Sequence, residues 1–181
     1  ALAAIGRNIS VEPVVGKEDD PYALQEADLP ELEAEYERLA GYLRDHPETN
    51  FFHFNVDLAQ GPCVIKRLRG CGAGCEYVAI TPEGDIYPCH QFVGNEAYKL
   101  GSIYDGTFDM ELSGKFAALN IYTREECGSC WARFYCSGGC SASNLLVNGD
   151  IKRPHHVGCA LERKRLECAI ALRAIAAGMA D

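Results

Sequence analysis

Four cysteines between Cys127 and Cys140 constrain this chain more than any other feature. The stretch reads C-x2-C-x5-C-x3-C, with Gly128, Gly138 and Gly139 set among the thiols. Thiolates are soft ligands that select zinc, Cu(I) or iron–sulfur clusters. A loop that turns several sulfurs toward one centre needs backbone freedom, and cluster sulfurs need backbone N–H groups close by. Glycine serves both needs. The stretch has partners on either side. Upstream, Cys71 is followed by twelve residues, Gly84, four residues and Cys89; downstream stands Cys159.

Written whole, the order is C-x12-G-x4-C, a gap, C-x2-C-x5-C-x3-C, a gap, and a final C. A lone C-x2-C is weak evidence, but seven cysteines and a glycine in this order are specific. The pattern resembles the SPASM domain, the auxiliary-cluster module of radical S-adenosylmethionine (SAM) enzymes that modify peptides and proteins. The run Gly-Cys71-Gly-Ala-Gly-Cys75-Glu-Tyr-Val-Ala-Ile-Thr-Pro-Glu-Gly84-Asp-Ile-Tyr-Pro-Cys89-His-Gln-Phe-Val-Gly narrows the likeness. It is similar to the SCIFF-type maturases, which install thioether bridges in cysteine-rich precursor peptides.

The chain has 181 residues, enough for one domain or one and a piece, and its 48% hydrophobic content permits a real core. A formal net charge of −9 argues against a nucleic-acid partner, since phosphate binding needs clustered Lys and Arg. No apolar run reaches membrane-spanning length, and no signal peptide is visible. Ten cysteines in a secreted chain would read as disulfides. The close C-x2-C pair, the chain length and the missing export signal favour metal ligation in a reducing cytoplasm. The opening Ala-Leu-Ala-Ala-Ile, without Met, reads as the start of a fragment.

Along the chain, Ile9, Val11, Val14 and Val15 suit a buried strand within residues 5–16. Asp28 reads as an N-cap, with Pro30 in the first turn, Glu31 completing a capping box, and Leu32, Tyr36, Leu39 and Leu43 on one helical face. Pro47 ends that helix, and residues 50–58 read as a second strand. Residues 76–80 and 86–87 flank the turn Thr81-Pro82-Glu83-Gly84-Asp85, which predicts a hairpin that brings Cys71 toward Cys89. Residues 99–104 read as a short strand and 110–119 as a short helix. Residues 145–151, around Asn148-Gly149, read as a second small hairpin. The segment from Cys159 to Met179 reads as a helix, with Arg163, Lys164 and Arg165 on its solvated face. Strand, helix, strand suggests the end of an α/β unit. With the resemblance, the expected fold is α+β. Residues 1–60 form the C-terminal end of a radical SAM partial (β/α) barrel and linker. Residues 61–181 form a small SPASM domain with β-hairpins, cysteine-rich cluster loops and a C-terminal helix. The barrel signature C-x3-C-x2-C is absent, because Cys71-x3-Cys75 would need a third cysteine where Val78 stands. By itself the chain is therefore expected not to cleave SAM. Glu12 reads as a surface or strand-end carboxylate, with a SAM pocket of the complete barrel as its other reading.

The resemblance also implies a ligand set. Cys127, Cys130, Cys136 and Cys159 go to the second auxiliary 4Fe–4S cluster, and Cys71, Cys89 and Cys140 to the first. Three readings stand for the eighth ligand: Cys63, Cys75, or an open iron site for a substrate cysteine. Cys168 reads as a small buried hydrophobe. In sulfatase-maturing relatives an Asp at the position of His90 acts as a base. His90 therefore has two readings, a proton acceptor for a substrate thiol or amide, and a hydrogen-bonded neighbour that tunes a cluster; the second is the simpler. His155 and His156 lie near Cys159, yet the sulfur count needs no nitrogen ligand. Trp131, Phe134 and Tyr135 read as a shield between cluster and water.

For the complete enzyme, the resemblance implies a third 4Fe–4S cluster, SAM as cosubstrate, and a 5′-deoxyadenosyl radical that takes a hydrogen from an α-carbon of a cysteine-rich precursor peptide. A substrate sulfur then bonds to that carbon. An electron donor or acceptor such as ferredoxin or flavodoxin is the implied partner, with no nucleic acid and no membrane. Two rivals follow from the cysteines alone: a zinc-stabilised four-cysteine binding module, and a ferredoxin-like electron carrier.

Overall fold

The computed structural model describes residues 6–17, 19–58 and 64–179. Two compact units emerge. One comprises Ala1–Pro62 with His155–Asp181, and the other Cys63–Pro154.

The first unit begins with two short parallel strands joined by a helix. Strand β1 (Asn8–Ile9) pairs with β2 (Asn50–Phe51), Asn8 opposite Asn50 and Ile9 opposite Phe51. Parallel neighbours need a crossover, and α1 (Leu29–Asp45) supplies it. Tyr36, Leu39 and Leu43 of α1 pack with Phe51 and Phe54. Both strands are shorter than residues 5–16 and 50–58 suggest. Val11 and Val14 are half exposed, so that run has no second layer to bury it. After Phe51 the chain turns into a 3-10 helix, Phe52–Phe54, which sends Phe51 and Phe54 into one core. Asp28 does not cap α1. Its carboxylate turns back and accepts the Gln25 N–H at 2.8 Å, closing the 3-10 turn Glu26–Asp28 that leads into the helix.

Helix α6 (His156–Ala176) belongs to this unit, whereas the sequence reading groups residues 155–181 with the cluster segment. Cys168, Ala169 and Leu172 join the apolar cluster of Leu43, Phe51 and Phe54. Lys164 and Arg165 are not on a solvated face. Lys164 pairs with Glu37 of α1, and Arg165 Nε donates to the Tyr36 hydroxyl at 3.1 Å with its guanidinium 5.7 Å from the centre of that ring. Their long stems cover the seam between α1 and α6 while their charges find partners.

The second unit opens with α2 (Val64–Arg69). A four-stranded antiparallel meander follows: β3 (Ala79–Ile80), β4 (Asp85–Tyr87), β5 (Gly101–Ser102) and β6 (Thr107–Phe108), in that order. The β3–β4 hairpin pairs Ala79 with Tyr87 and Ile80 with Ile86. Helix α3 (Met110–Ala117) is capped by Asp109, which accepts the Leu112 N–H at 2.8 Å. Tyr87, Phe92, Phe116, Leu119, Ala142 and Ile151 form the core, with Phe92 edge-on to Phe116 at 5.4 Å. Full burial of a side chain such as Phe92 stabilises by about 1.5–3 kcal/mol.

Two more helices complete this unit, α4 (Arg133–Cys136) and α5 (Ser141–Asn148). Helix α5 replaces the second hairpin expected over residues 145–151. Ala142 and Asn144 are buried, Ala142 about one helical turn before Leu145, and Gly149, at φ 70°, ends the helix in the left-handed conformation. The Asn-Gly pair is a helix terminus here, because an apolar stripe at helical spacing precedes it. Among the described residues, no helix is long and apolar enough to cross a membrane.

Candidate metal centre

The second unit brings Cys71 and Cys89 together through backbone lashings. The Glu76 N–H donates to the Gly72 carbonyl at 2.7 Å, closing a tight loop after Cys71. The Gly74 N–H donates to the Tyr77 carbonyl at 2.9 Å and the Pro88 carbonyl at 3.0 Å, tying that loop to the residue before Cys89. Cys89 is buried and opens the 3-10 turn His90–Phe92, whose Gln91 and Phe92 N–H groups reach its sulfur. Burial pushes the Cys89 thiol up, opposed by those N–H groups; Cys140 and Cys71 are close enough to push it further. Tyr77 marks the same neighbourhood. Its hydroxyl is directed at Cys71 and Cys89, and burial together with these sulfurs pushes it up to about 12. Three thiols assigned to the first cluster, Cys71, Cys89 and Cys140, thus share one electrostatic environment.

The central cysteines sit at junctions between short turns. Cys127 opens the 3-10 turn Cys127–Ser129, and Cys130 follows it, its N–H on the Cys127 carbonyl at 3.1 Å. Cys136 ends α4, and Cys140 is the N-cap of α5. Two non-glycine residues adopt the left-handed conformation beside these cysteines: Glu126 at φ 62° before Cys127, and Ser137 at φ 60° after Cys136. Such strain concentrates at functional sites.

Arg124 is the residue the sequence reading missed. Only 4% exposed, it is the one charged side chain in the buried set among the described residues. One terminal nitrogen donates to the Ile151 carbonyl at 2.5 Å and the other to the Ser141 hydroxyl at 2.8 Å. Its Nε is buried with no hydrogen-bond partner. Burial pulls its pKa down, and Cys127, Cys140, Cys136 and Cys71, in decreasing order, oppose that as thiolates. A buried cation is costly without an opposite charge, and thiolates supply one. The only signal in the sequence is an Arg three positions before Cys127, which looks no different from Arg133.

His90 is exposed at the start of its 3-10 turn. Cys75 is exposed, and its thiol donates to the Gly72 carbonyl at 3.4 Å. Cys63 lies outside the described residues. Cys159 lies in the first unit, half-buried in the first turns of α6, and Cys168 is buried in the apolar cluster. Glu12 pairs with His53 at 3.1 Å and accepts from the Ser10 hydroxyl at 2.9 Å. Trp131 is half exposed, while Phe134 is partly covered by the Arg133 guanidinium, 4.7 Å from its ring centre.

No disulfide joins any described cysteine. Among the described residues, no group of three or more His, Cys, Asp or Glu side chains is arranged to hold a single metal ion. The donor chemistry fits iron–sulfur clusters: soft sulfur ligands, backbone N–H groups on Cys89, and a buried guanidinium with an unfilled donor beside four thiols.

Comparison with known proteins agrees. Residues 71–131 match the family model of SPASM, an iron–sulfur cluster-binding domain. The matched segment holds Cys71, Cys75, Cys89, Cys127 and Cys130, and ends before Cys136 and Cys140. The chain is 32% identical over 111 residues to the mycofactocin maturase MftC of Mycobacterium ulcerans (strain Agy99). The alignment covers 58% of this chain and 29% of that relative, so the chain spans less than a third of the relative's length. In fold, it is similar to a solved structure of histidine-tagged anSMEcpe with bound AdoMet. The TM-score is 0.55 and the identity 20%, over 91% of this chain and 46% of that one.

Proposed function

Since this chain carries a SPASM iron–sulfur cluster-binding domain and is related to a radical SAM maturase, we propose that it is the auxiliary-cluster portion of an enzyme forming thioether cross-links, Cys sulfur to α-carbon, in a cysteine-rich precursor peptide. The observation that carries the reading is the backbone-tied pair Cys71 and Cys89 beneath the Tyr77 hydroxyl, with Cys140 acting on Cys89, inside the matched domain and its continuation. These three thiols would hold the first 4Fe–4S cluster, with Cys63, Cys75 or a substrate thiolate as fourth ligand. Cys127, Cys130, Cys136 and Cys159 would hold the second.

When bound, such clusters supply one-electron redox chemistry and, where an iron is open, a Lewis-acidic site for a thiolate. The protein's own residues supply the surroundings. Tyr77 donates toward the sulfurs of Cys71 and Cys89, and the Gln91 and Phe92 N–H groups stabilise charge on Cys89. His90, exposed beside Cys89, would accept a proton from a substrate thiol; its simpler role is to hydrogen-bond near the cluster. The SAM-cleaving site, the peptide and the ferredoxin- or flavodoxin-type partner belong to the complete enzyme in this reading.

Iron, acid-labile sulfide and zinc per chain, measured after anaerobic preparation, test the reading. Two loaded cubanes correspond to about eight iron and eight sulfide per chain by the stoichiometry of four of each per cluster. Zinc without sulfide, together with failed iron–sulfide reconstitution, would leave a structural zinc module instead.

A further inference from the structure

Arg124 has no part in that chemistry, yet its surroundings are specific. The guanidinium is fixed at both terminal nitrogens, by the Ile151 carbonyl and the Ser141 hydroxyl. Asn144, also buried, donates to the same Ile151 carbonyl at 3.3 Å and braces that acceptor. Gly138 makes the room: a Cβ there would lie 2.7 Å from Arg124 Cδ and 2.9 Å from Nε. What remains is a permanent positive charge, 4% exposed, with its Nε–H unpartnered and thiols from both cysteine groups around it.

We propose that Arg124 is a positioning cation for the clusters, donating its Nε–H to a cluster sulfur and holding up the reduction potential of the centres bound by the surrounding thiols. The inference rests on the proposed cluster function. The physical reason is charge. Reduction adds an electron to a centre already negative through its thiolates. A fixed cation in a desolvated site stabilises the reduced form more than the oxidised one. A hydrogen bond to sulfur acts in the same direction. Lys lacks the planar fork, and its single ammonium nitrogen cannot occupy the three separate donor positions that the guanidinium nitrogens fill.

The test uses the full chain, reconstituted anaerobically, in wild-type form and as Arg124→Gln and Arg124→Lys. Iron and sulfide are counted first, and reductive titration is then followed by electron paramagnetic resonance. At full iron content, the Gln variant is expected to titrate at least about 59 mV more negative, a tenfold change in the oxidised-to-reduced ratio for a one-electron couple. The Lys variant is expected to fall between it and wild type. Unchanged midpoints in a fully loaded Gln variant would overturn the proposal. If that variant does not load, wild-type protein labelled with 15N-arginine decides. A 15N hyperfine coupling to the reduced cluster, lost in Arg124→Lys, supports the contact; its absence refutes it. Wild-type chain that binds zinc and no sulfide would instead overturn the cluster reading and this inference together.

Discussion

Gly138 and Arg124 share one volume: a Cβ on Gly138 would stand 2.7 Å from the Arg124 side chain, at a backbone φ of 88°. A residue in the C-x5-C-x3-C loop is therefore matched to a cation that precedes that loop. Gly138→Ala is expected to cost at least about 1–2 kcal/mol for the left-handed backbone alone, and more if Arg124 must move. Denaturant unfolding of the reconstituted chain would measure it. A change below about 0.5 kcal/mol would mean that the loop adapts freely.

Ser137, at φ 60° beside Cys136, adopts the left-handed conformation without being glycine. Ser137→Gly relieves that strain at some cost in unfolded-state entropy, so a net gain of about 0.5–1 kcal/mol is expected. The same unfolding measurement checks it, and a loss of stability would show that the serine hydroxyl outweighs the strain.

Removal of iron and sulfide is expected to act unevenly. The first unit has its own apolar cluster around Phe51, Phe54 and Leu43, whereas residues 124–140 consist of short turns between cysteines. Metal binding is part of folding where ligands cross-link loops. Hydrogen exchange on the apo chain should speed up in residues 71–77 and 124–140 while α1 and α6 keep their protection. Uniform loss of protection would contradict this separation.

His155, at the start of α6, has its pKa lowered by burial and by the neighbouring His156. The unfolded chain takes up the proton near 6.5, and the folded chain resists it. Below that pH the unfolded state binds more protons, so stability is fully present above about 6.5 and declines as pH falls. Unfolding midpoints between about pH 7.5 and about pH 5 should show the decline, and His155→Gln should reduce its slope.

Asn144 is buried and donates to Ile151, whose carbonyl also receives Arg124. Asn144→Ala is expected to cost about 1–3 kcal/mol through a lost buried hydrogen bond and a small void. A parallel drop in iron content would tie this brace to the metal centre, and an unchanged iron content would confine its role to the fold.

The features that point to a thiol-ligated site could be read from the sequence because their information is local. Thiol spacing states what kind of atom must be bound, and Thr81-Pro82-Glu83-Gly84-Asp85 states where the chain turns back between β3 and β4. Helices α1 and α6 are legible in the same way, from apolar residues at helical spacing, whereas the Asp109 cap of α3 emerged only in the structure. Around residues 145–151 the same cues misled. Asn-Gly closes hairpins and helices alike, and only the core that receives Ala142 and Leu145 distinguishes them.

The cysteine spacing and the likeness to the SPASM cluster-binding domain were legible in the chain before it folds, since both reside in which thiols it carries and how far apart they lie. Which residues surround those thiols was settled only by folding. It placed Arg124 beside cysteines from both groups, set Tyr77 between Cys71 and Cys89, and packed α6 with α1. Burial of a charge, or of a helix face, depends on partners distant along the chain. Whether Arg124 is solvated or desolvated depends on Gly138, Ser141 and Ile151, and no spacing rule links those positions until the core forms.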